Sequence, residues 1–234
     1  MGRHEKPVDR TVPARAKLAD FLRGRKAAAG LTHEEMSKRV NGVPSKATFE
    51  RAASGAAVPS WETVDAFIKV TLTKEEEFAA TLGVARDRGL ELWIRARRAT
   101  RAPYYVHKVP DPDLVSTVAD YSRTLRHQHV WAGSPTPGEM ERMSGPGELP
   151  STTTYRIIKG DALPVDPKQA IAFLKACYVR TSADLEPWLG AAVRALTQSG
   201  ALSETDLNRW VKAHQDLLAR IKASSEDKER ERAA

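Results

Sequence analysis

The side chains able to bind metals or act as nucleophiles are few and poorly spaced for either task. Cys177 is the one cysteine, which excludes an internal disulfide and a metal site built from thiolates. In a helix, His127 and His129 would direct their imidazoles to different faces, so they do not predict a shared metal ion. No glycine-rich phosphate loop, nucleophile elbow or pair of catalytic carboxylates stands out. We therefore expect neither an enzyme nor a bound cofactor.

The basic side chains are more informative. The formal net charge is +7, with a pI of about 9.6. Residues 1–100 hold 19 Lys and Arg against 13 Asp and Glu, residues 101–178 hold 9 against 8, and residues 179–234 hold 9 against 9. The excess, almost all in the first hundred residues, predicts a polyanionic partner for that part of the chain. A chance scatter of basic residues is the alternative interpretation.

The composition is that of a folded protein. The chain has 234 residues, of which 41% are hydrophobic, which suits two domains better than one. No apolar run approaches the ~20 residues of a membrane helix. No apolar stretch follows the charged start of the sequence, as a secretory signal would require. We expect a soluble cytoplasmic protein.

Apolar residues recur three and four positions apart, which predicts an all-α fold. Thr32 with Glu35, and Thr73 with Glu76, have the spacing of capping boxes, and Ser45 is placed to cap the next helix. Phe78 falls on the inward stripe of the last predicted helix of this half. The predicted helices of the first hundred residues cover 16–29, 33–40, 45–54, a segment opened by Pro59 and Ser60, and 73–99.

Prolines 103, 110 and 112 interrupt the helical pattern. They place a linker at residues 101–112, between domain 1 of residues 1–100 and domain 2 of residues 113–224. Residues 225–234 are charged and poor in apolar side chains, which predicts a frayed, disordered tail. The predicted helices of domain 2 cover 114–130, 138–143, 151–159, a segment introduced by Pro164 and Pro167, 184–198 and 204–223.

The two halves share a weak internal repeat. Residues 18–23 resemble residues 118–123, and the offset between matching positions drifts from 100 to 106 along the chain. The collinear order of the matches predicts two divergent copies of one helical domain. The further matches are Glu35-Met36 with Glu139-Met140, Arg51 with Arg156, Gly55 with Gly160, Pro59 with Pro164, and residues 66–69 with residues 172–175.

The first copy reads Gly-Leu-Thr-His-Glu-Glu-Met over residues 30–36, then continues through residues 45–55 to Pro59-Ser60-Trp61-Glu62. This order resembles the lambda-repressor-like, or XRE-type, helix-turn-helix family of DNA-binding proteins. The end of its second helix, residues 51–55, is similar to a subgroup common in high-GC bacteria. Residues 131–135 and 172–177 make the second copy similar to the same subgroup. The resemblance implies two helix-turn-helix domains in tandem.

In that motif the first helix of the pair crosses the phosphate backbone and the second enters the major groove. With Phe49 and Ala52 inward, Lys46 and Arg51 can donate to guanine, and Glu50 can accept from cytosine. An ordinary Lys46–Glu50 pair on an exposed helix is the alternative. The DNA-contact residues implied are Lys46, Ala47, Thr48, Glu50 and Arg51 on the recognition helix, Thr32, His33, Arg39, Arg23, Arg25 and Lys26 on phosphates, a flexible arm with Arg3, Lys6 and Arg10, and Ser151, Thr152, Thr153 and Arg156 in the second copy.

Two features depart from the family pattern. Residues 41–44 make the turn of copy one about two residues longer than usual, which can change the tilt of the recognition helix. In copy two, residues 151–156 carry little positive charge, and Thr154 stands where Phe49 stands in copy one. The register of this helix in copy two, or its packing, therefore stays open, and its threonines suit either DNA contacts or a solvated face.

Two functions remain as alternatives. The repeat favours a sequence-specific transcriptional regulator of double-stranded DNA, in which both copies act as a covalent pseudo-dimer. The charge distribution favours an adaptor, in which copy one binds DNA and copy two binds RNA polymerase, a sigma factor or another regulator. Plasmid or chromosome-end maintenance would use the same DNA contacts. All three place the protein in the cytoplasm at the nucleoid. The apolar stripe from Leu207 to Ile221 is expected to pack within the chain, with a homodimer as the alternative.

Overall fold

The computed structural model describes residues 6–102 and 109–233, with side chains described as far as residue 226. Throughout these residues the regular structure is helical and contains no strand. The predicted all-α class is therefore confirmed.

The chain divides into two compact units, Met1–Val106 and His107–Ala234. The division falls inside the predicted linker of residues 101–112. Pro103 and the residues up to 108 lie outside the described part of the chain. Each unit contains buried apolar residues of its own.

The first unit begins each short helix with a hydroxyl side chain that accepts a hydrogen bond from a first-turn N–H. Both predicted capping boxes form, at Thr32 with Glu35 and at Thr73 with Glu76. These caps fix the helix starts locally, which is why the sequence located them within one or two residues. The helices are α1 Pro13–Ala28, α2 His33–Arg39, α3 Lys46–Ala52, α4 Trp61–Val70, α5 Lys74–Phe78 and α6 Leu82–Arg101.

The core of the first unit contains apolar side chains from several of its helices. Leu18 and Leu22 of α1, Phe49 of α3 and Phe67 of α4 are fully buried or within 1% of it. The rings of Phe49 and Phe67 meet edge to face with centroids 5.4 Å apart. This contact ties α3 to the body of the unit through α4.

The predicted helix over residues 73–99 is wrong in one respect, because it is two helices. Ala80 adopts a left-handed φ of 52° between α5 and α6. Phe78, predicted to face inward, is 96% exposed. The carboxylate of Glu76 accepts from Arg25 of α1, which turns that side of α5 inward and leaves Phe78, two residues on, on the opposite side.

The second unit starts with a short 3-10 turn, Pro112–Leu114, and continues with six α-helices along its described residues. Its core includes Tyr121, Leu125, Met140 and Phe173, each no more than 1% exposed. Trp210 of the last helix is buried with them. The helices are α7 Val118–Trp131, α8 Pro137–Met143, α9 Ser151–Lys159, α10 Pro167–Ala176, α11 Ser182–Ser199 and α12 Glu204–Ala233.

Helix α12 corrects the prediction of a disordered tail from residue 225. The helix continues to Ala233, because residues 225–233 contain no proline or glycine and are rich in Glu, Lys and Arg, which favour helices. The stripe predicted between Leu207 and Ile221 packs within the unit as expected, since Trp210 and Leu217 are buried in its core and Leu207 packs against them.

Burial also corrects the first match of the internal repeat. Ala19 is fully buried, but Ala119, its predicted counterpart, is exposed. The buried residues of α7 are Tyr121, Leu125, Gln128 and His129, and the first two have the same spacing of four as Leu18 and Leu22 of α1. Tyr121 and Leu125 lie 103 residues after Leu18 and Leu22, so the burial pattern of α7 does not support the predicted offset of 100.

Candidate nucleic-acid interface

Helices α2 and α3 pack against each other in a corner, here called the α2–α3 corner, and the side that faces the core is apolar. Met36 of α2 and Phe49 of α3 are fully buried, and Ala52 is 3% exposed. The hydroxyl of Ser45 accepts from the N–H of Thr48 at 3.3 Å and so caps α3. The predicted N-cap and the predicted inward residues of α3 are thus both confirmed.

The turn between the two helices is longer than in the family pattern, yet it is bonded to α2. The hydroxyl of Ser37 donates to the carbonyl of Pro44 at 3.2 Å, and the N–H of Gly42 donates to the carbonyl of Ser37 at 2.8 Å. Asn41 and Gly42 take φ of 54° and 80°, the left-handed region that these two residue types tolerate best. Val43 is 82% exposed at the tip of the turn.

The outer side of α3 presents polar and charged groups together. Lys46, Ala47, Glu50 and Arg51 are exposed, while Thr48 is half-buried. The guanidinium of Arg51 donates to the hydroxyl of Thr48 at 3.3 Å, one turn earlier. This exposed surface contains an ammonium donor, a guanidinium donor and one carboxylate acceptor. These are the groups that hydrogen-bond base edges.

Glu34 belongs to the same surface, although sequence reasoning missed it. Its carboxylate lies 3.5 Å from the ammonium of Lys46 on α3 and 3.8 Å from that of Lys38 on α2. The anion thus neutralises part of the positive charge that α2 and α3 present. Its place in the first turn of α2, one residue before the capping glutamate, gave no indication of a partner on α3.

The N-terminus of α2 does not supply the predicted phosphate contacts through Thr32 and His33. The carboxylate of Glu35 accepts from the N–H and the hydroxyl of Thr32, both at 2.8 Å, and these bonds hold the pKa of Glu35 below its usual value. His33 is 8% exposed and packs edge-on against Phe67 at 6.2 Å between ring centroids. A carboxylate stands at this helix end, and the imidazole belongs to the core.

Arg25 is also removed from the predicted phosphate contacts. Its guanidinium donates twice to the carboxylate of Glu76, both at 2.9 Å, and to the carbonyl and hydroxyl of Thr71 at 3.2 Å. The hydrogen bonds from Arg25 lower the pKa of Glu76 to about 2. Its side chain is 9% exposed, so Arg25 joins α1 to α5 inside the unit. Lys26 beside it is half-buried.

The predicted flexible arm is ordered from Lys6 onward. Arg10 forms a two-bond ion pair with Asp20, both bonds at 3.0 Å, and the N–H of Asp9 donates to the carbonyl of Ser54 at 2.9 Å. Arg23 donates to the carbonyls of Ala53 and Lys6 rather than presenting its charge outward. Arg3 lies outside the described residues.

In the second unit, α8 and α9 pack against each other in a corner of their own, the α8–α9 corner. Met140 is fully buried, and Thr136 with Glu139 forms a capping box like that of Thr32. Thr154 is also fully buried, and its hydroxyl donates to the carbonyl of Pro150 at 3.0 Å. On the outer side of α9, Thr152, Tyr155 and Arg156 are exposed and Ser151 and Thr153 are half-buried.

Comparison with known protein families agrees with this geometry for the first unit. Residues 17–81 match the family described as a helix-turn-helix domain. The matched segment starts within α1, contains α2 and α3 entire, and ends after α5. Residues 17–81 are a helix-turn-helix domain, which supports DNA binding by the first unit. A search of the curated proteins and of the solved structures finds no match to the chain.

Within the helix-turn-helix domain, α2 and α3 are the two helices of the motif, and α1, α4 and α5 complete the matched segment. Arg39 ends α2 on the exposed side. In the part of the chain that the structure describes, no group of three His, Cys, Asp or Glu side chains could hold a metal ion. Over those same residues, no helix combines the length and apolar character needed to span a bilayer.

Proposed function

We propose that the protein is a sequence-specific double-stranded DNA-binding transcriptional regulator that reads the major groove with α3. The observation that carries this proposal is that α3 is amphipathic, with one buried apolar side and one exposed charged side. Phe49 and Ala52 fix its inner side, and Lys46, Glu50 and Arg51 stand exposed on its outer side. The helix lies within the domain matched to a DNA-binding family.

The dimensions suit the groove. An α-helix with its side chains is ~10–12 Å across, and the major groove is ~12 Å wide. We propose that Lys46 and Arg51 donate to guanine, that Glu50 accepts from cytosine, and that Ala47 meets a thymine methyl. Thr48, half-buried, would lie at the groove wall.

Phosphate contacts position such a domain without reading sequence. Because α2 crosses the backbone in this arrangement, its exposed cations Lys38 and Arg39 are the candidates. Lys26 at the end of α1 is a further, half-buried candidate. His33 and Arg25 are engaged inside the unit, and the exposed hydroxyl of Thr32 is bonded to Glu35, so the three are not among the proposed contacts.

We further propose that the second unit is a diverged copy of the helix-turn-helix domain. Its first four α-helices have 14, 7, 9 and 10 residues, against 16, 7, 7 and 10 in the first unit. A shared contact supports the same idea. Arg25 donates to the carbonyl of Thr71 at 3.2 Å, and Gln128 donates to the carbonyl of Cys177 at 3.0 Å.

Thr71 and Cys177 each follow the last residue of the fourth helix of their unit. Arg25 and Gln128 are 103 residues apart, as Leu18 and Leu22 are from Tyr121 and Leu125, and the acceptors Thr71 and Cys177 are 106 apart. The side chains differ completely in type, so this correspondence is independent of sequence similarity. It supports a common design in the two units.

Two reading helices in one chain would act as a covalent pseudo-dimer on a bipartite target. Half-sites on the same side of the duplex lie ~34 Å apart, or a multiple of that distance. We propose that α9 contacts its half-site through Ser151, Thr152, Thr153 and Arg156. A homodimer is then not required for bipartite recognition. Membership of the XRE type, a high-GC bacterial source and a nucleoid-associated location in the cytoplasm belong to the same proposal.

A specific observation favours the adaptor as a second candidate. The α8–α9 corner exposes Met143 by 45% and Tyr155 by 52%, and aromatic and methionine side chains are enriched at protein interfaces. Residues 101–234 also hold nearly equal numbers of basic and acidic residues. In this alternative the second unit binds RNA polymerase, a sigma factor or another regulator. Plasmid or chromosome-end maintenance would use the same DNA contacts.

Selection of binding sites from random duplexes, followed by a footprint of the full chain, tests the proposal. Two protected half-sites, one of them lost in Arg156→Glu, support the pseudo-dimer. A single protected half-site, unchanged in Arg156→Glu, supports the adaptor. If the wild-type chain enriches no sequence at near-physiological salt, sequence-specific recognition by α3 is refuted.

A further inference from the structure

The segment of residues 6–12, here called the N-terminal strap, lies across the C-terminal end of α3. The N–H of Asp9 donates to the carbonyl of Ser54 at 2.9 Å. Arg15, just after the strap, donates to the carbonyl of Ala56 at 2.7 Å. The strap is itself held to α1 by the ion pair between Arg10 and Asp20. It is thus bonded both to the body of the unit and to the residues that end the recognition helix.

Arg23 links the strap to the last turn of α3 through a single side chain. Its Nε donates to the carbonyl of Ala53 at 2.8 Å, and its Nη2 donates to the carbonyl of Lys6 at 2.7 Å. Ala53 is the C-terminal cap of α3. Because one planar guanidinium fixes both carbonyls, the strap and the helix end cannot shift independently without losing a hydrogen bond.

Gly55 shows how closely the two segments approach. It has a φ of 76°, and a Cβ placed on it would lie 2.7 Å from the carbonyl oxygen of Asp9 and 3.0 Å from a methyl of Val8. Only glycine fits this position, both for its left-handed backbone and for the contact with the strap. The chain leaving α3 therefore has a fixed course under the strap.

The other end of α3 is held more lightly. It follows the long turn, whose tip residue Val43 is 82% exposed, and it is bonded to α2 through Ser37 and Pro44. A recognition helix of only seven residues has little length over which to resist tilting. The C-terminal end, with the strap and Arg23, supplies the stronger backbone anchor.

We propose that the N-terminal strap positions the recognition helix and thereby sets how well the protein discriminates between DNA sequences. The proposal rests on the function proposed above. Hydrogen bonds to base edges depend steeply on geometry, whereas attraction to phosphates is tolerant of small shifts. Loosening the strap is therefore expected to reduce specific binding far more than non-specific binding.

The variant Gly55→Ala tests this inference on the full chain, with Gly30→Ala as its matched control. Gly30 has a φ of 64°, but nothing lies within 4 Å of its added Cβ. Both variants carry the same left-handed strain, and only Gly55→Ala displaces the strap. We expect Gly55→Ala to lower the affinity ratio between a selected site and a scrambled duplex about tenfold, the loss of roughly one base contact. Gly30→Ala should leave the ratio unchanged.

Hydrogen exchange on the DNA-free protein separates failure of this inference from failure of the proposed function. We expect the amides of residues 49–53 to exchange faster in Gly55→Ala than in Gly30→Ala. Arg23→Gln is the second variant, for use if Gly55→Ala does not fold, because it removes the guanidinium that joins the strap to Ala53 without straining the backbone. We expect the same faster exchange in it. Equal exchange over residues 49–53 in all variants, or equal loss of specific and non-specific binding, overturns the inference even if the wild type selects a site. If residues 49–53 exchange faster in Gly55→Ala but the wild type prefers no DNA sequence, only the proposed function is refuted.

Discussion

Glu76→Gln is the perturbation whose effect is most directly given by the structure. The carboxylate accepts two hydrogen bonds from Arg25 and one from the N–H of Thr73. Together they lower the pKa of Glu76 from 4.5 to about 2. A pKa difference of that size corresponds to about 3 kcal/mol of stability, as an upper bound. Because the side chain is 29% exposed, we expect a loss of about 2 kcal/mol at pH 7.

The pH dependence has a definite sign. Since the pKa is lower in the folded state, the stabilisation is fully present above about pH 4.5 and is lost as the pH falls towards 2. The difference in melting temperature between wild type and Glu76→Gln should therefore be largest at neutral pH and shrink below pH 4.5. Glu77→Gln is the control, because its exposed carboxylate stands next in sequence on the same helix.

Calorimetric melting from pH 7 down to pH 3 measures both quantities. A loss of about 2 kcal/mol corresponds to roughly 8–16 °C for a unit of about 100 residues. The same series decides the role of Arg25. Arg25→Met should lower the melting temperature but leave the salt dependence of DNA binding unchanged. Equal melting of Glu76→Gln and Glu77→Gln at pH 7, or a fall of about 0.9 in the salt slope of Arg25→Met, would refute the reasoning.

Three further predictions concern DNA binding by the full chain. Arg51→Ala should weaken binding to a selected site by ~1–3 kcal/mol and relax one base position; an unchanged titration would show that another side chain reads the base. Arg39→Gln should reduce the salt slope by about 0.9 for every sequence alike, and a change in sequence preference would contradict its assignment to a phosphate. Glu34→Gln removes the carboxylate beside Lys46 and Lys38, so it should tighten binding to random duplexes several-fold in a fluorescence titration. The control Glu77→Gln should produce a much smaller change, because Glu77 does not lie beside these cations. Equal changes in the two variants would indicate a general charge effect instead.

The sequence by itself determined the all-α class, most helix starts and the outward side of α3. Each of these depends on residues three or four positions apart. Thr32 and Glu35 form their box within one turn, and Ser45 caps the helix that it begins. The buried pair Phe49 and Ala52 fixes the outer side of α3 by helical periodicity alone.

The tertiary structure alone decided what the charged and aromatic side chains do. Arg25 and Glu76 are 51 residues apart, and Arg23 and Ala53 are 30 apart. From its sequence context, Arg25 looked as available to a phosphate as Arg39 does. A guanidinium bonds whichever acceptor the fold brings within reach, and composition does not reveal which acceptor that is.

Phe78 and the N-terminal strap show the same limit. A helical stripe predicted Phe78 to be inward, but the direction of α5 depends on the distant Arg25, which left the ring exposed. Basic residues near the start of the chain suggested a loose arm, whereas Asp9 bonds Ser54 at the end of α3. Local hydrogen bonds and periodicity are encoded within a few residues. Contacts between distant segments exist only once the chain has packed, and they decide here which basic groups remain exposed.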